Sequence, residues 1–301
     1  MLKKFYFFSA LFILSVFLIS NVYTQTQDTV LENTLLWKIS RSDIAYESYL
    51  IGTHHFISSS FIDSSGIIKG ICVKVNTFVI EADTADMDKH YIEQSLLMKA
   101  NQFYSFKNDE DQKQVDTCVK NIVGYYFPYL SFKPMGLLIL LEFLNTQKKK
   151  MDEVKMNEFV GVDNFFKKQG EKPGNRLLTL ETPEEQIALL LDSISIERQT
   201  EKLVKYAKAY NNKPSSVTML DTCYIIQNLQ CIYYLTIKGY DGREVNLMIT
   251  DRNKEWMKKL PHIINDNPTF IAVGAAHLVG PYGLLNLIRK AGYTVTPVML
   301  N

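Results

Sequence analysis

The sequence predicts an α/β protein: a central sheet with helices on both faces and a helical insertion in the middle of the chain. Three observations carry this. Thr77–Ile80 and Thr269–Val273 are short, continuous apolar runs rich in β-formers, the pattern of strands covered on both sides. Strand-like segments alternate with long stretches of helical character, which argues for a layered sheet. A strand followed by Gly-x-x-His occurs twice, at Gly52–His55 and Gly274–His277. Loops at the carboxyl ends of strands line the ligand crevice of an open α/β sheet.

Each element has its own signal. Leu35–Ile39 and Ser48–Ile51 read as paired strands, with the polar Arg41–Glu47 as the turn between them, and the second runs into Gly52. Thr77–Ile80 ends at Glu81. From Asp86 to Gln147 the chain is mostly helical, interrupted by Pro128 and Pro134, with Gly136–Asn145 strongly apolar. A further short helix is expected within Glu158–Gly170, so the helical lobe spans about 86–170. Arg176–Leu180 returns to strand. Thr182, Pro183 and Glu185 then make a helix start, as N-cap, first residue and capping-box partner. Amphipathic helices are predicted over Pro183–Tyr210, Leu220–Lys238 and Glu244–Lys259. Thr269–Val273 is a strand, Gly283–Ala291 a helix with Gly292 at its C-cap, and Tyr293–Pro297 the last strand. No Ser/Gly/Pro-rich linker divides residues 25–301, so they are read as a single domain.

Composition narrows the function. Of 301 residues, 47% are apolar and 12% aromatic, enough for a substantial core and against a disordered chain. Lys and Arg number 33 against 32 Asp and Glu, so the basic footprint that phosphate binding needs is missing and nucleic acid is not expected as a partner. Lys3 and Lys4, the apolar run Phe5–Ile19 and the polar Asn21–Asp28 have the order of a secretory signal, residues 1–24. The run falls short of the roughly 20 residues a membrane span takes. An exported chain, periplasmic or secreted, without a membrane span after signal removal is therefore expected. Export permits disulfides, and four cysteines remain: Cys72, Cys118, Cys223 and Cys231. Cys223–Cys231 is the disfavoured pair. One continuous helix would hold these residues about 12 Å apart, beyond the roughly 7 Å a disulfide tolerates.

Candidate chemistry lies at the strand ends. Imidazole and carboxylate suit zinc, manganese or cobalt, and a catalytic site commonly uses three protein ligands with one position left for water. His55, Glu81 and His277 each follow an apolar strand and are expected to converge on a divalent metal ion. Water bound there would become nucleophilic near neutral pH. His54 is a neighbouring proton donor or supporting group. Arg252 and Asn253 are expected to orient substrate, Arg252 through its fork of donors. The plainer reading of Asp251–Trp256 is a solvated helix face or an internal salt bridge; Asp163 and Glu181 are similar cases, and capping a helix start or hydrogen-bonding a loop would account for Glu181 by structure alone. No His-Glu-x-x-His, Gly-x-Ser-x-Gly, Cys-x-x-Cys or phosphate-binding loop occurs.

Seven segments in order carry a resemblance: Leu35–Ile39, Tyr49–His55, Phe78–Asp83, Gly161-Val-Asp-x-x-Phe166, Leu180-Glu-Thr-x-x-Glu-Gln186, Asp251-Arg-Asn-x-x-Trp256 and Phe270–Val298. Together they resemble the TraB/GumN family, to which the Tiki proteases are related. The resemblance implies two related halves and a site made of two Gly-x-x-His motifs and a carboxylate, here His55, His277 and Glu81. It also implies a metal-dependent peptidase, manganese or cobalt favoured over zinc, acting on a peptide or protein. His54 departs from the pattern, since many relatives carry an apolar or small residue there; His55 is taken as the working residue. A metal-independent acid–base hydrolase of esters and a non-enzymatic exported peptide- or ligand-binding regulatory protein are the alternatives.

Overall fold

Six strands form one mixed sheet in the computed structural model, which describes residues 32–300 apart from 56, 64, 84–87, 126, 151–161 and 213–218. They are β1 Leu36–Ser40, β2 Ser48–Thr53, β3 Thr77–Ile80, β4 Arg176–Thr179, β5 Thr269–Gly274 and β6 Thr294–Val298. The order across the sheet is β4-β3-β5-β2-β1-β6. The first four run parallel, while β1 is antiparallel to both β2 and β6. Ile80 lies opposite Ala272, Thr179 opposite Ile80, and Thr53 opposite Gly274. Those pairings bring four carboxyl ends to one edge of the sheet. The α/β arrangement is the one the sequence predicts, and every predicted strand is present to within about two residues.

The longer helices are α1 Gly66–Cys72, α2 Lys89–Leu96, α3 Asp109–Val123, α4 Pro134–Lys150, α5 Val162–Gly170, α6 Pro183–Asp192, α7 Ile196–Asn212, α8 Met219–Ile225, α9 Leu229–Ile237, α10 Asp251–Asp266 and α11 Leu284–Lys290. β2, β3 and β5 are buried almost throughout, as their unbroken apolar character requires. Helix α5 packs on β3, β4 and β5, and its Phe166 ring sits 4.7 Å from Phe270, which in turn stacks on Phe78. Burial of each such ring is worth roughly 1.5–3 kcal/mol, so this cluster fixes the entry of α5 against the sheet. A second core joins α3, α4 and α7 through Val115, Cys118, Leu137, Leu141, Leu203 and Ala207. This helical cluster thus includes α7, from beyond residue 170, while α5 packs on the sheet.

Three helix expectations are corrected. Pro183–Tyr210 is two helices, because the Gln199 amide donates to the carbonyls of Leu191 and Ile194 and closes the end of α6. Glu244–Lys259 begins instead as a short turn, Gly242–Val245, and a π-helical turn, Asn246–Thr250; α10 then continues past Pro261 to Asp266. Leu220–Lys238 breaks at Gln227, whose φ is 59°, and Asn228 starts the next helix by accepting from the Cys231 amide. That break overturns the exclusion of Cys223–Cys231: the two Cα atoms are 5.8 Å apart and the sulfurs are bonded. Cys72 and Cys118 are free thiols. The signal segment 1–24 lies outside the described residues, as do residues 158–161 of the predicted helix. Among the described residues no helix is long and apolar enough to cross a membrane.

Candidate functional site

The carboxyl ends of the four parallel strands deliver, side by side, Glu181 after β4, Glu81 after β3, Gly274–His277 after β5 and Thr53–His55 after β2. Two glycines make this proximity feasible. A Cβ on Gly52 would lie 2.9 Å from the Cα and Cβ of Ala275, so the two His-bearing loops touch backbone to backbone. A Cβ on Gly274 would lie 3.2 Å from a Glu81 carboxylate oxygen. That oxygen, Oε1, accepts the Gly274 amide at 2.6 Å.

Arg252 organises one half of the site. The π-helical turn Asn246–Thr250 precedes it, a widening often found at functional positions, and the guanidinium returns to that turn through the Met248 carbonyl. Its Nε and Nη2 grip Glu181 at 3.0 and 2.5 Å, Nη2 also donates to Glu81 Oε2 at 2.6 Å, and Nη1 lies 3.0 Å from His277 Nε2. The Trp256 ring lies beneath the guanidinium at 4.8 Å and beside the His277 imidazole at 4.5 Å. The Gln186 amide bridges Glu81 and Glu181 from the other side. Burial raises the Glu81 carboxyl, but the Arg252 charge leads a set of interactions that outweigh it and hold the group below its ordinary range.

His277 is buried, and its tautomer follows from Asn253. The Asn253 amide nitrogen donates to the carbonyls of His277 and Tyr282, so Oδ1 must be the acceptor facing His277 Nδ1 at 2.7 Å. The proton therefore sits on Nδ1, and the Nε2 lone pair accepts from Arg252. Burial pushes the imidazole pKa down to about 3, with the neighbouring Arg252 charge acting in the same direction. His277 is a neutral acceptor.

His55 is different. Its Nδ1 lies 2.9 Å from Asp163 Oδ2, and the Thr53 hydroxyl donates to the other Asp163 oxygen at 2.5 Å. The side chain is 67% exposed. The Asp163 charge and hydrogen bond raise its pKa to about 9, and the His55 charge acts through space on Glu81 and His277. Burial raises the Asp163 carboxyl, but His55 and Thr53 more than offset this and hold it low. His54 has other partners: Asp221 at 3.5 Å and the edge of Tyr224 at 5.3 Å.

Glu81, His277, Arg252 and Asn253 thus share one hydrogen-bonded cluster, while His55 is paired with Asp163 and reaches Glu81 through its charge. Asp163 and Glu181, for which the sequence offered a structural role, both touch the candidate residues, Asp163 at His55 and Glu181 at Arg252. Thr182 and Glu185 do the capping of α6. The signal for both carboxylates was their place in the ordered motifs.

The donor set can be tested against a metal ion. Glu81 Oε2 and His277 Nε2 both face the Arg252 guanidinium, so a cation already holds these ligand atoms. Among the described residues no group of three or more His, Cys, Asp or Glu is placed to hold a metal. In this arrangement the residues do not fit one.

Residues 35–297 match the model of the TraB/PrgY/gumN family. A comparison with curated proteins finds no match.

Proposed function

Because the chain belongs to the TraB/PrgY/gumN family, we propose that it is a hydrolase of peptide bonds in which Glu81 acts as general base and His55 as general acid. Glu81 takes a proton from water as the water attacks the carbonyl carbon. His55 gives its Nε2 proton to the departing amine nitrogen, and Asp163 steadies the imidazolium through Nδ1. The observation that carries the reading is the pairing of opposite protonation states at the ends of β3 and β2, the strands on either side of β5: a carboxylate held ionised by Arg252, and an imidazole held protonated by Asp163. Divergent environments of this kind assign acid and base. Arg252 directs its donors to Glu81, Glu181, His277 and the Met248 carbonyl, so its part is to position Glu81.

Dependence on manganese, cobalt or zinc is the second reading, favoured by the fact that Glu81 and His277 already share one cation. It requires Arg252 to release both donors. Export belongs to the same proposal and is supported by the basic, apolar and polar order of residues 3–28. An amino terminus near residue 25 in the purified protein tests that part.

The central experiment is digestion of a peptide library by the full chain, read by mass spectrometry with added manganese or cobalt and again after chelation. Cleavage that survives chelation and falls about 10²–10⁴-fold in Glu81→Gln and His55→Ala is the expected result. Cleavage abolished by chelation supports the metal reading. Tight peptide binding without product would replace both with a binding function.

A further inference from the structure

Helices α8 and α9 form a hairpin that both Gly-x-x-His loops lean on. Tyr224, in α8, donates its hydroxyl to the Gly52 carbonyl at 2.9 Å in a fully buried hydrogen bond. The edge contact with His54 comes from the same ring, and Asp221, one turn earlier, approaches His54 Nε2. Helix α9 packs on the Ala275–His277 turn, and its Tyr233 ring lies against Gly280 at the exit of the second loop. Leu229 and Ile232 are buried beneath it. The two helices are joined by only Ile226–Asn228 and by the Cys223–Cys231 bond. Cys223 immediately precedes Tyr224.

We infer that the Cys223–Cys231 disulfide is a redox-sensitive clamp that holds both histidine loops in register through Tyr224 and α9. The chemistry needs a dithiol reductant. Cys231 is partly exposed and Cys223 is buried, so a reductant thiolate reaches the Cys231 sulfur first. Attack there forms a mixed disulfide and expels Cys223 as thiolate, which takes a proton. The reductant's second thiol then closes its own disulfide and frees Cys231, leaving two protein thiols and one oxidised reductant. The bond between two cysteines eight positions apart is lost, and the hairpin regains the freedom that the crosslink removed. Tyr224 is then a positioning residue: it acts on the first loop through Gly52 and His54.

Amide hydrogen exchange on the full chain tests this and needs no substrate, so its outcome stands apart from that of the proposed reaction. Treatment with a dithiol is expected to speed exchange about tenfold or more at Gly52–His55 and Ala275–Gly280, with β3 and the α3–α4 core unchanged. Reoxidation should restore it. Tyr224→Phe, with the disulfide intact, should loosen Gly52–His55 and leave the second loop protected. Unchanged exchange in both loops after reduction overturns the clamp, and so does a loss of protection spread evenly through β3 and the lobe. Unchanged exchange at Gly52–His55 in Tyr224→Phe overturns the role of the tyrosine.

Discussion

Arg252 Nη2 lies 2.6 Å from Glu81 Oε2 while the same nitrogen serves Glu181, so one guanidinium neutralises part of a two-carboxylate cluster that is nearly closed to solvent. Removing it leaves two buried carboxylates with the Gln186 amide as a neutral partner between them. Arg252→Ala should therefore destabilise the fold by about 3–5 kcal/mol, the usual cost of stripping one partner from a buried pair. Arg252→Lys should recover part of that, since one ammonium cannot reproduce the fork. Thermal unfolding of the two variants beside Glu181→Gln makes the comparison; an Arg252→Ala protein as stable as wild type would refute the assignment.

His55 and Asp163 set a pH dependence with a definite sign. Because the His55 pKa is raised to about 9, its ion pair with Asp163 is fully formed below the ordinary histidine pKa and is lost as pH rises through about 9. Proton donation by His55 should fail over the same alkaline range, and ionisation of Glu81, held low, should be lost only in acid. A rate profile flat across neutrality with an alkaline limb near pH 9 is expected. Asp163→Asn should pull that limb, and the His55 titration followed by NMR, back toward the ordinary histidine value near 6.5. A limb that stays near pH 9 in this variant would assign it to another group.

The sheet was legible because its strands are short and apolar, and a strand end is where a parallel sheet presents side chains to a ligand. Glu81, His55 and His277 stand out on that ground alone. The direction in which a carboxylate turns was not legible. Glu181 precedes a helix start and Asp163 lies in the first turn of one, and an acidic residue near a helix amino terminus suits capping and catalysis equally well. The break at Gln227 was hidden for another reason: no glycine or proline marks it, and tertiary packing together with the disulfide overrides the helical character of the surrounding segment. The π-helical turn that aims Arg252 has no sequence signature either, so its contacts could be seen only in three dimensions.

His277 contributes a different pH dependence. It is buried and neutral, with its pKa pushed down to about 3, whereas the unfolded chain takes up a proton near the ordinary value of about 6.5. Between these values the unfolded state binds more protons, so stability must rise with pH and be lost as pH falls. The loss is on the order of a few kcal/mol over that interval, at roughly 1.4 kcal/mol per unit. His277→Gln cannot titrate, so its stability curve should be flatter between pH 6.5 and 3 than that of wild type. Denaturant unfolding at a series of pH values gives both curves, and parallel curves would show that His277 is protonated in the fold.

Gly52 offers the sharpest steric test of how the two histidine loops meet. An alanine methyl there would sit 2.9 Å from both the Cα and the Cβ of Ala275, and neither belongs to a flexible side chain that can swing away. The ends of β2 and β5 would have to separate, although Thr53 and Gly274 are paired at that point. Gly52→Ala should cost about 1–3 kcal/mol, the range for overpacking a close contact. It should also lower turnover more than stability, because it displaces His55 and His277 relative to each other. Gly70→Ala is the matched control, since a methyl there meets nothing within 4 Å and the residue lies inside helix α1. That substitution should be neutral or stabilise by a few tenths to about 1 kcal/mol through helix propensity. If the two variants unfold at the same temperature, the loops are not in the contact described.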